Sequence, residues 1–224
     1  MKKEDLTQAT ERRFIDTTSA FPCRRNAGVR ALPGTAQDAA NRRWLEGLLP
    51  FFATHAATLA QRLPQLYGTP WAGMPFRVDV VDTLSFAGAD SINLHDPDRL
   101  HILVSSASPA NQGPGGLEIV FHGASHFLTR ANTPLRTALA ASPRDARGTA
   151  GGDLTHPVHF YMTGEAVRRV LDTPGEPPYT PALFALSLFG PEFRDAVQKT
   201  WPAYMDGKRT LQEAAADLVR ALGK

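Results

Sequence analysis

The segment VFHGASHFL, residues 120–128, places His122 and His126 four residues apart. On an α-helix the side chains at i and i+4 are neighbours, so two imidazoles at this spacing can bind one metal ion. With 100° per residue, three more polar residues share the face of both histidines: Glu118, Ser125 and Thr129. The alternative is a solvated polar face on which two histidines happen to lie.

A catalytic zinc ion commonly has three protein ligands and one water, so a third ligand is needed. The candidates downstream are Asp153, His156, His159 and Glu165. His156 and His159 are three residues apart and could chelate a metal themselves, or one could steady a transition state. Each alone is also a common structural histidine. The alternative for Glu165 is a surface ion pair with Arg168 or Arg169.

The composition limits the classes of protein to which this chain can belong. A chain of 224 residues suits one domain or two closely packed lobes, and 42% hydrophobic with 21% charged residues suits a soluble globular protein. The net charge of +2, without a basic stripe, argues against a nucleic-acid partner. The single cysteine, Cys23, excludes an intrachain disulfide and a Cys-rich zinc site.

The N-terminal stretch MKKEDLTQATERRF lacks the apolar core of a signal peptide, although a removed leader would leave the same sequence. No run approaches the roughly 18 apolar residues of a membrane helix. We therefore expect a cytoplasmic protein by default, with no membrane partner.

The site must be positioned by helices and a small sheet. Residues 1–35 are predicted to be irregular, and a helix is predicted over 36–49 that Pro50 breaks or kinks before it resumes to Gly68. A strand is predicted over 76–81 and a hairpin over 90–106, with its turn in the segment HDPD.

The second half of the chain is predicted to be helical. The histidine helix spans 116–130, a loop covers 132–152, and the later helices span 156–172, 181–189, 191–205 and 208–222. The order of helices, strands and helices predicts an α+β fold in one domain, 1–224. Its sheet-bearing lobe covers 36–131 and its helical lobe covers 132–224.

The segment LEIVFHGASHFL, with the hairpin before it and helices after it, resembles the active-site helix of zincin metallopeptidases, whose motif is HExxH. The resemblance covers residues 70–172. It implies a cleft between the two lobes, Zn²⁺ bound by His122 and His126, and hydrolysis of a peptide or small amide by a metal-activated water. In the gluzincin branch the third ligand is a glutamate on the following helix, and Glu165 lies on a similar helix.

The departure from the family is Gly123, at the position of the glutamate that takes a proton from the water. Glycine cannot do this, so the resemblance implies a protein that is inactive or severely impaired. It leaves open a pseudoenzyme, a substituted active parent, or an accidental likeness. The alternative function is a non-catalytic metal- and peptide-binding protein, and a third possibility is a domain without metal.

Three further roles are predicted around this site. Glu118 is expected to hydrogen-bond a ligand imidazole, its alternative being an ordinary first-turn glutamate favoured by the helix dipole. The resemblance implies that Tyr161, on the face of Glu165, donates to an oxyanion, and His156 is a candidate to stabilise the transition state. By the same analogy the strand LHILVSS, residues 100–106, is an edge strand that pairs with an extended substrate.

Overall fold

A computed structural model describes residues 35–71, 76–84, 87–92, 101–142, 153–172, 174 and 178–223. Within these residues the chain forms eight α-helices and one three-stranded mixed sheet, which confirms the predicted α+β class. Most of the predicted irregular segment 1–35 and the predicted HDPD turn lie outside the described residues. No described helix combines the length and apolarity needed to cross a bilayer.

The first helix, α1, runs without a break from Thr35 to Tyr67 and contains Pro50 and Pro64. Of the two predicted effects of Pro50, a break or a kink, the break is therefore wrong. Leu48 before this proline and Leu59 after it are both buried in the same core. Packing on both sides outweighs the lost hydrogen bond, which costs about 3 kcal/mol in a helix interior.

The sheet contains β1 (Arg77–Val81), β2 (Ala89–Ile92) and β3 (His101–Ser105) in the order β1-β3-β2. β3 is antiparallel to β2 and parallel to β1. The antiparallel pair confirms the two strands of the predicted hairpin. β3 is nevertheless the central strand, so the prediction that it is a free edge for substrate is wrong: both of its edges are already paired.

The remaining helices are α2 (Pro114–Ser125), α3 (Pro134–Ala141), α4 (Thr155–Leu171), α5 (Ala182–Ala185), α6 (Pro191–Thr200), α7 (Pro202–Met205) and α8 (Leu211–Leu222). A 3₁₀ turn, His126–Thr129, extends α2. α3 lies inside the predicted loop 132–152, and the predicted helix 181–189 shortens to α5. The backbone at Ser187 and Phe189 has positive φ, which cannot continue a helix.

Helix α2 lies at the centre of the molecule and contacts α1, α4, β2 and β3. All residues from Gly115 to Ser125 are buried. The alternative of a solvated polar face on this helix is therefore wrong. One core cluster includes side chains from α1 through α8, so the predicted lobes share their apolar interior.

Candidate metal centre

Helices α2 and α4 bring four histidines together. The His122 ring centroid lies 4.1 Å from that of His159, and the His126 centroid lies 5.1 Å from that of His156. The other two distances between the pairs are 4.6 Å, for His126 and His159, and 5.4 Å, for His122 and His156. The i, i+4 pair of α2 thus meets the i, i+3 pair of α4, as the spacing of both pairs allows.

Three of these histidines form a group that could hold a metal ion. One ring nitrogen from each of His122, His126 and His159 lies within 4.8 Å of the others. Zinc bonds to imidazole nitrogen at about 2.0–2.1 Å, so the three nitrogens must move closer together to share one ion. His122 and His159 are buried and His126 is half-buried, so the group is partly open on one side.

The protonation states favour metal binding. Burial lowers the pKa values of His122 and His159 well below their ordinary range, and the neighbouring histidines lower them further. Burial, and then His156, lower the pKa of His126 to about 4. Burial also lowers the pKa of His156, against the opposing charge of Asp153. Neutral imidazoles at pH 7 are the form that binds metals.

One nitrogen of this group lacks a hydrogen-bond partner. Among the described residues, Nδ1 of His122 is buried and unpaired, and so are the hydroxyls of Ser125 and Thr155 on the same two helices. Leaving a buried polar group unpaired costs about 1–3 kcal/mol, and such groups are rare in folded proteins. A metal ion at His122 would satisfy this nitrogen, so the residues fit the ion.

His159, in contrast, has a partner for each nitrogen. Its Nε2 lies 2.9 Å from the backbone oxygen of His122, and its Nδ1 lies 2.6 Å from the hydroxyl of Tyr67. A carbonyl oxygen only accepts, so Nε2 of the neutral ring carries the hydrogen and Nδ1 accepts from Tyr67. His159 must therefore exchange one of these hydrogen bonds to bind a metal.

Glu165, the predicted third ligand, is not brought to the histidines. Its carboxylate accepts hydrogen bonds from Arg168 at 2.7 and 2.8 Å and from Arg169 at 2.7 Å. Burial raises the pKa of Glu165, but the two arginines outweigh it and the pKa is lowered. At 100° per residue Glu165 lies about 120° around α4 from His159, away from α2. The structure shows the predicted alternative of an ion pair with Arg168 and Arg169, but Glu165 is buried and does not lie on the surface as that alternative had it.

Glu118 takes neither predicted role. It is 1% exposed, its Oε2 accepts from the Tyr179 hydroxyl at 2.8 Å, and both carboxyl oxygens accept from the Ala182 amide at 3.1 Å. Burial raises the pKa of Glu118 to about 7 against these hydrogen bonds. It therefore anchors the chain before α5 to the middle of α2.

Tyr161 also lies away from the four-histidine group. Its buried ring packs edge-on against Phe184, on the face of α4 that carries Glu165. Burial raises its pKa, and the charge of Glu165 adds to this effect. The geometry therefore gives no support to Tyr161 as an oxyanion donor beside these histidines.

Gly123 packs against the sheet. A β-carbon at this position would lie 2.5 Å from Cγ2 of Ile102 on β3 and 3.2 Å from Oγ of Ser91 on β2. The Ser91 hydroxyl donates to the Gly123 carbonyl at 3.3 Å. Gly123 is thus a point of close approach between α2 and the sheet, a reason for glycine that its helix propensity does not reveal.

A short loop after α5 brings Phe189 against His156. The Phe189 ring centroid lies 6.1 Å from that of His156 and 5.8 Å from that of Phe160. Nη1 of Arg194 donates to the carbonyls of Ser187, Leu188 and Phe189 at 2.9, 3.0 and 2.6 Å. One guanidinium therefore holds a loop with two positive-φ residues, Ser187 at 50° and Phe189 at 59°.

A cavity of about 410 Å³ lies beside the same loop. It is lined by Leu84, Leu186 and Leu188 and by smaller residues that follow β1, precede β2 or lie at the end of β3, and by none of the four histidines. No protein-family model, curated protein or solved structure matches this chain. The proposed function therefore rests on the residues of the site and their geometry.

Proposed function

We propose that this chain is a zincin-like protein that binds Zn²⁺ through His122, His126 and His159. The observation that carries the proposal is the convergence of three neutral imidazole nitrogens within 4.8 Å. The unpaired buried Nδ1 of His122 supports it. In this proposal His159 takes the place that the resemblance assigned to Glu165.

The activity we propose is hydrolysis of a peptide or amide bond, slow in this chain. Zinc would supply a Lewis acid that polarises the amide carbonyl and makes water a stronger nucleophile at neutral pH. Three ligands would leave a position for substrate or water. His156, whose ring centroid lies 5.4 Å from that of His122, would donate a hydrogen bond to a substrate oxygen. Without a glutamate at Gly123, the rate would be lower by about 10²- to 10⁴-fold.

The peptide is proposed to pair with β2. Within the described sheet β2 is an edge strand, and its Ser91 touches α2 at Gly123. Strand addition gives main-chain affinity with little demand on sequence. The charge of Asp90 on β2 acts on His126 by raising its pKa, so this strand lies within electrostatic reach of the site.

A second candidate is a non-catalytic metal-binding protein in which His156 is a fourth ligand. The observation that favours it is the distance of 5.1 Å between the ring centroids of His156 and His126, close to the 4.9 Å between those of His122 and His126. Four ligands close a zinc site, whereas catalytic sites keep a position open. Azide added to the cobalt-substituted protein would change its visible spectrum only if a position is open.

The first experiment is elemental analysis of protein purified without added metal and again after zinc is supplied. We expect about one zinc per chain in the wild type, and none in His126→Ala or His159→Ala. Glu165→Gln is the matched control and should keep its zinc, because this side chain pairs with arginines. Loss of zinc in Glu165→Gln but not in His159→Ala would replace our ligand set, and no zinc in any protein would refute the metal site.

A further inference from the structure

Tyr67, at the C-terminal end of α1, is completely buried against α4. Its hydroxyl oxygen lies 2.6 Å from Nδ1 of His159 and 3.0 Å from Oγ1 of Thr163. The backbone oxygen of His159 is a further acceptor at 3.3 Å. The phenol therefore has an acceptor for its hydrogen even when it does not donate to the imidazole.

The two nitrogens of His159 face different helices. Nδ1 faces Tyr67 on α1, whereas Nε2 faces α2 at the backbone of His122. Because His122 lies on α2 and His126 on the 3₁₀ turn that extends it, Nε2 is the nitrogen placed to join them. It now carries the ring hydrogen, so His159 can use Nε2 as a ligand only as the other neutral tautomer, with the hydrogen on Nδ1.

We propose that Tyr67 is the positioning residue that makes both tautomers of His159 stable. Without metal its hydroxyl donates to Nδ1. With metal at Nε2, the Nδ1 hydrogen is donated to the phenol oxygen, and the phenol hydrogen turns to Thr163. The ring is neutral and carries one hydrogen in both states, so the exchange needs no net proton uptake. This inference rests on the proposed metal site.

Two observations make tyrosine suited to this role. A phenol carries its hydrogen at neutral pH, so the buried Tyr67 hydroxyl is both a donor and an acceptor. Thr163 is also fully buried, and its hydroxyl accepts as readily as it donates. Partners that orient a metal-bound histidine typically change metal affinity by about 10- to 100-fold when removed.

The tautomer can be read directly from long-range ¹H–¹⁵N correlation spectra of the histidine rings, recorded with and without zinc. We expect His159 to carry its hydrogen on Nε2 without metal and on Nδ1 with zinc. Tyr67→Phe should weaken zinc binding by about 10- to 100-fold, measured by competition with a chelating dye. Tyr204→Phe is the matched control: it removes a nearby phenol hydroxyl that donates to Leu66, not to His159.

A second pair of variants keeps the test decisive if Tyr67→Phe does not fold. Thr163→Val should weaken zinc binding, because it removes the acceptor that the loaded state needs, and Thr163→Ser should restore it. Zinc binding with the hydrogen still on Nε2, or equal losses in Tyr67→Phe and Tyr204→Phe, would overturn the role of Tyr67. A wild type that binds no zinc would instead overturn the metal site on which it rests.

Discussion

Gly123 on α2 lies directly against Ile102 on β3, so that a β-carbon on the glycine would come within 2.5 Å of Cγ2 of Ile102. That methyl group branches from the β-carbon of a fully buried residue on the central strand. It can move aside only if χ1 changes or the strand shifts, because β-branched side chains are stiff at χ1.

Gly123→Ala should therefore destabilise the fold. Overpacking typically costs about 1–3 kcal/mol, against about 1 kcal/mol gained in helix propensity. In an Ile102→Ala background the same substitution should become neutral or stabilising. Gly47→Ala in α1 is the control, since a β-carbon there meets nothing within 4 Å and should stabilise. Urea denaturation measures all these free energies, and equal gains at Gly47 and Gly123 would contradict the packing argument.

If the proposed hydrolase function holds, peptide hydrolysis should become faster when a base and the space for it are supplied together. Zinc-loaded Gly123→Glu combined with Ile102→Ala should hydrolyse peptides about 10²- to 10⁴-fold faster than the wild type. Gly123→Glu alone should gain less, because Ile102 resists the new side chain. A panel of quenched fluorescent peptides gives the rates. Gly123→Gln in the Ile102→Ala background has the same shape without the base, and if it were equally active the hydrolase proposal would lose its support.

The metal-free protein should lose stability as the pH falls below about 6.5. His122, His126 and His159 have folded-state pKa values below the ordinary histidine value of about 6.5, so the unfolded chain binds more protons in this range. As the pH falls, each such histidine lowers the free energy of unfolding by about 1.4 kcal/mol per pH unit. This loss begins at the pKa of the unfolded state and ends at the pKa of the folded state. Urea denaturation from pH 7.5 to 4.5 tests this, and His126→Asn should reduce the slope; an unchanged slope would count against buried neutral histidines.

Glu118 should make stability depend on pH in the opposite direction to the histidines. Its folded pKa is raised from 4.5 to about 7, so its contribution to stability is present at low pH and is lost as the pH rises through about 7. Glu118→Gln has no such loss. Between pH 4.5 and about 7, its free energy of unfolding should therefore rise relative to that of the wild type by about 1.4 kcal/mol per pH unit. The comparison is made by denaturation at pH 5 and pH 8. A difference that is independent of pH would show that Glu118 titrates normally.

Arg194→Ala should release the loop that carries Phe189. Three carbonyls would lose the same charged donor, and a hydrogen bond to a charged group contributes about 1.5–3 kcal/mol. We expect a destabilisation of that order. Ser187→Gly in the wild type should be neutral or stabilising, because glycine adopts the φ of 50° without strain. Hydrogen exchange of the 187–189 amides reports the loosening, and unchanged exchange in Arg194→Ala would argue against the anchor.

Local patterns were sufficient for part of the fold. The spacing of His122 and His126, the helix that begins near Thr155 and the two strands of the hairpin all follow from short-range periodicity and turn residues. The pairing of His122 with His159 was not predicted, although the spacing of His156 and His159 marked that face of α4 as a possible chelator.

The errors concern relationships between distant segments. The central position of β3 depends on its parallel pairing with β1, which no local pattern encodes. The continuity of α1 through Pro50 depends on a core that is shared along its whole length. Glu165 was assigned by likeness to a family, whereas two arginines one turn further along α4 determine its contacts.

The complete burial of α2 has a consequence for how substitutions would be tolerated along the chain. In α8 the buried positions recur as on an ordinary surface helix: Leu211, Ala214, Ala215, Leu218 and Val219. A saturation scan of α8 should therefore show tolerant and intolerant positions alternating with the helical period. From Gly115 to Ser125 no solvent-facing position interrupts the burial, so the scan should show one continuous intolerant block. During evolution, substitutions in α2 would then be accepted only together with substitutions in the neighbouring residues that enclose it.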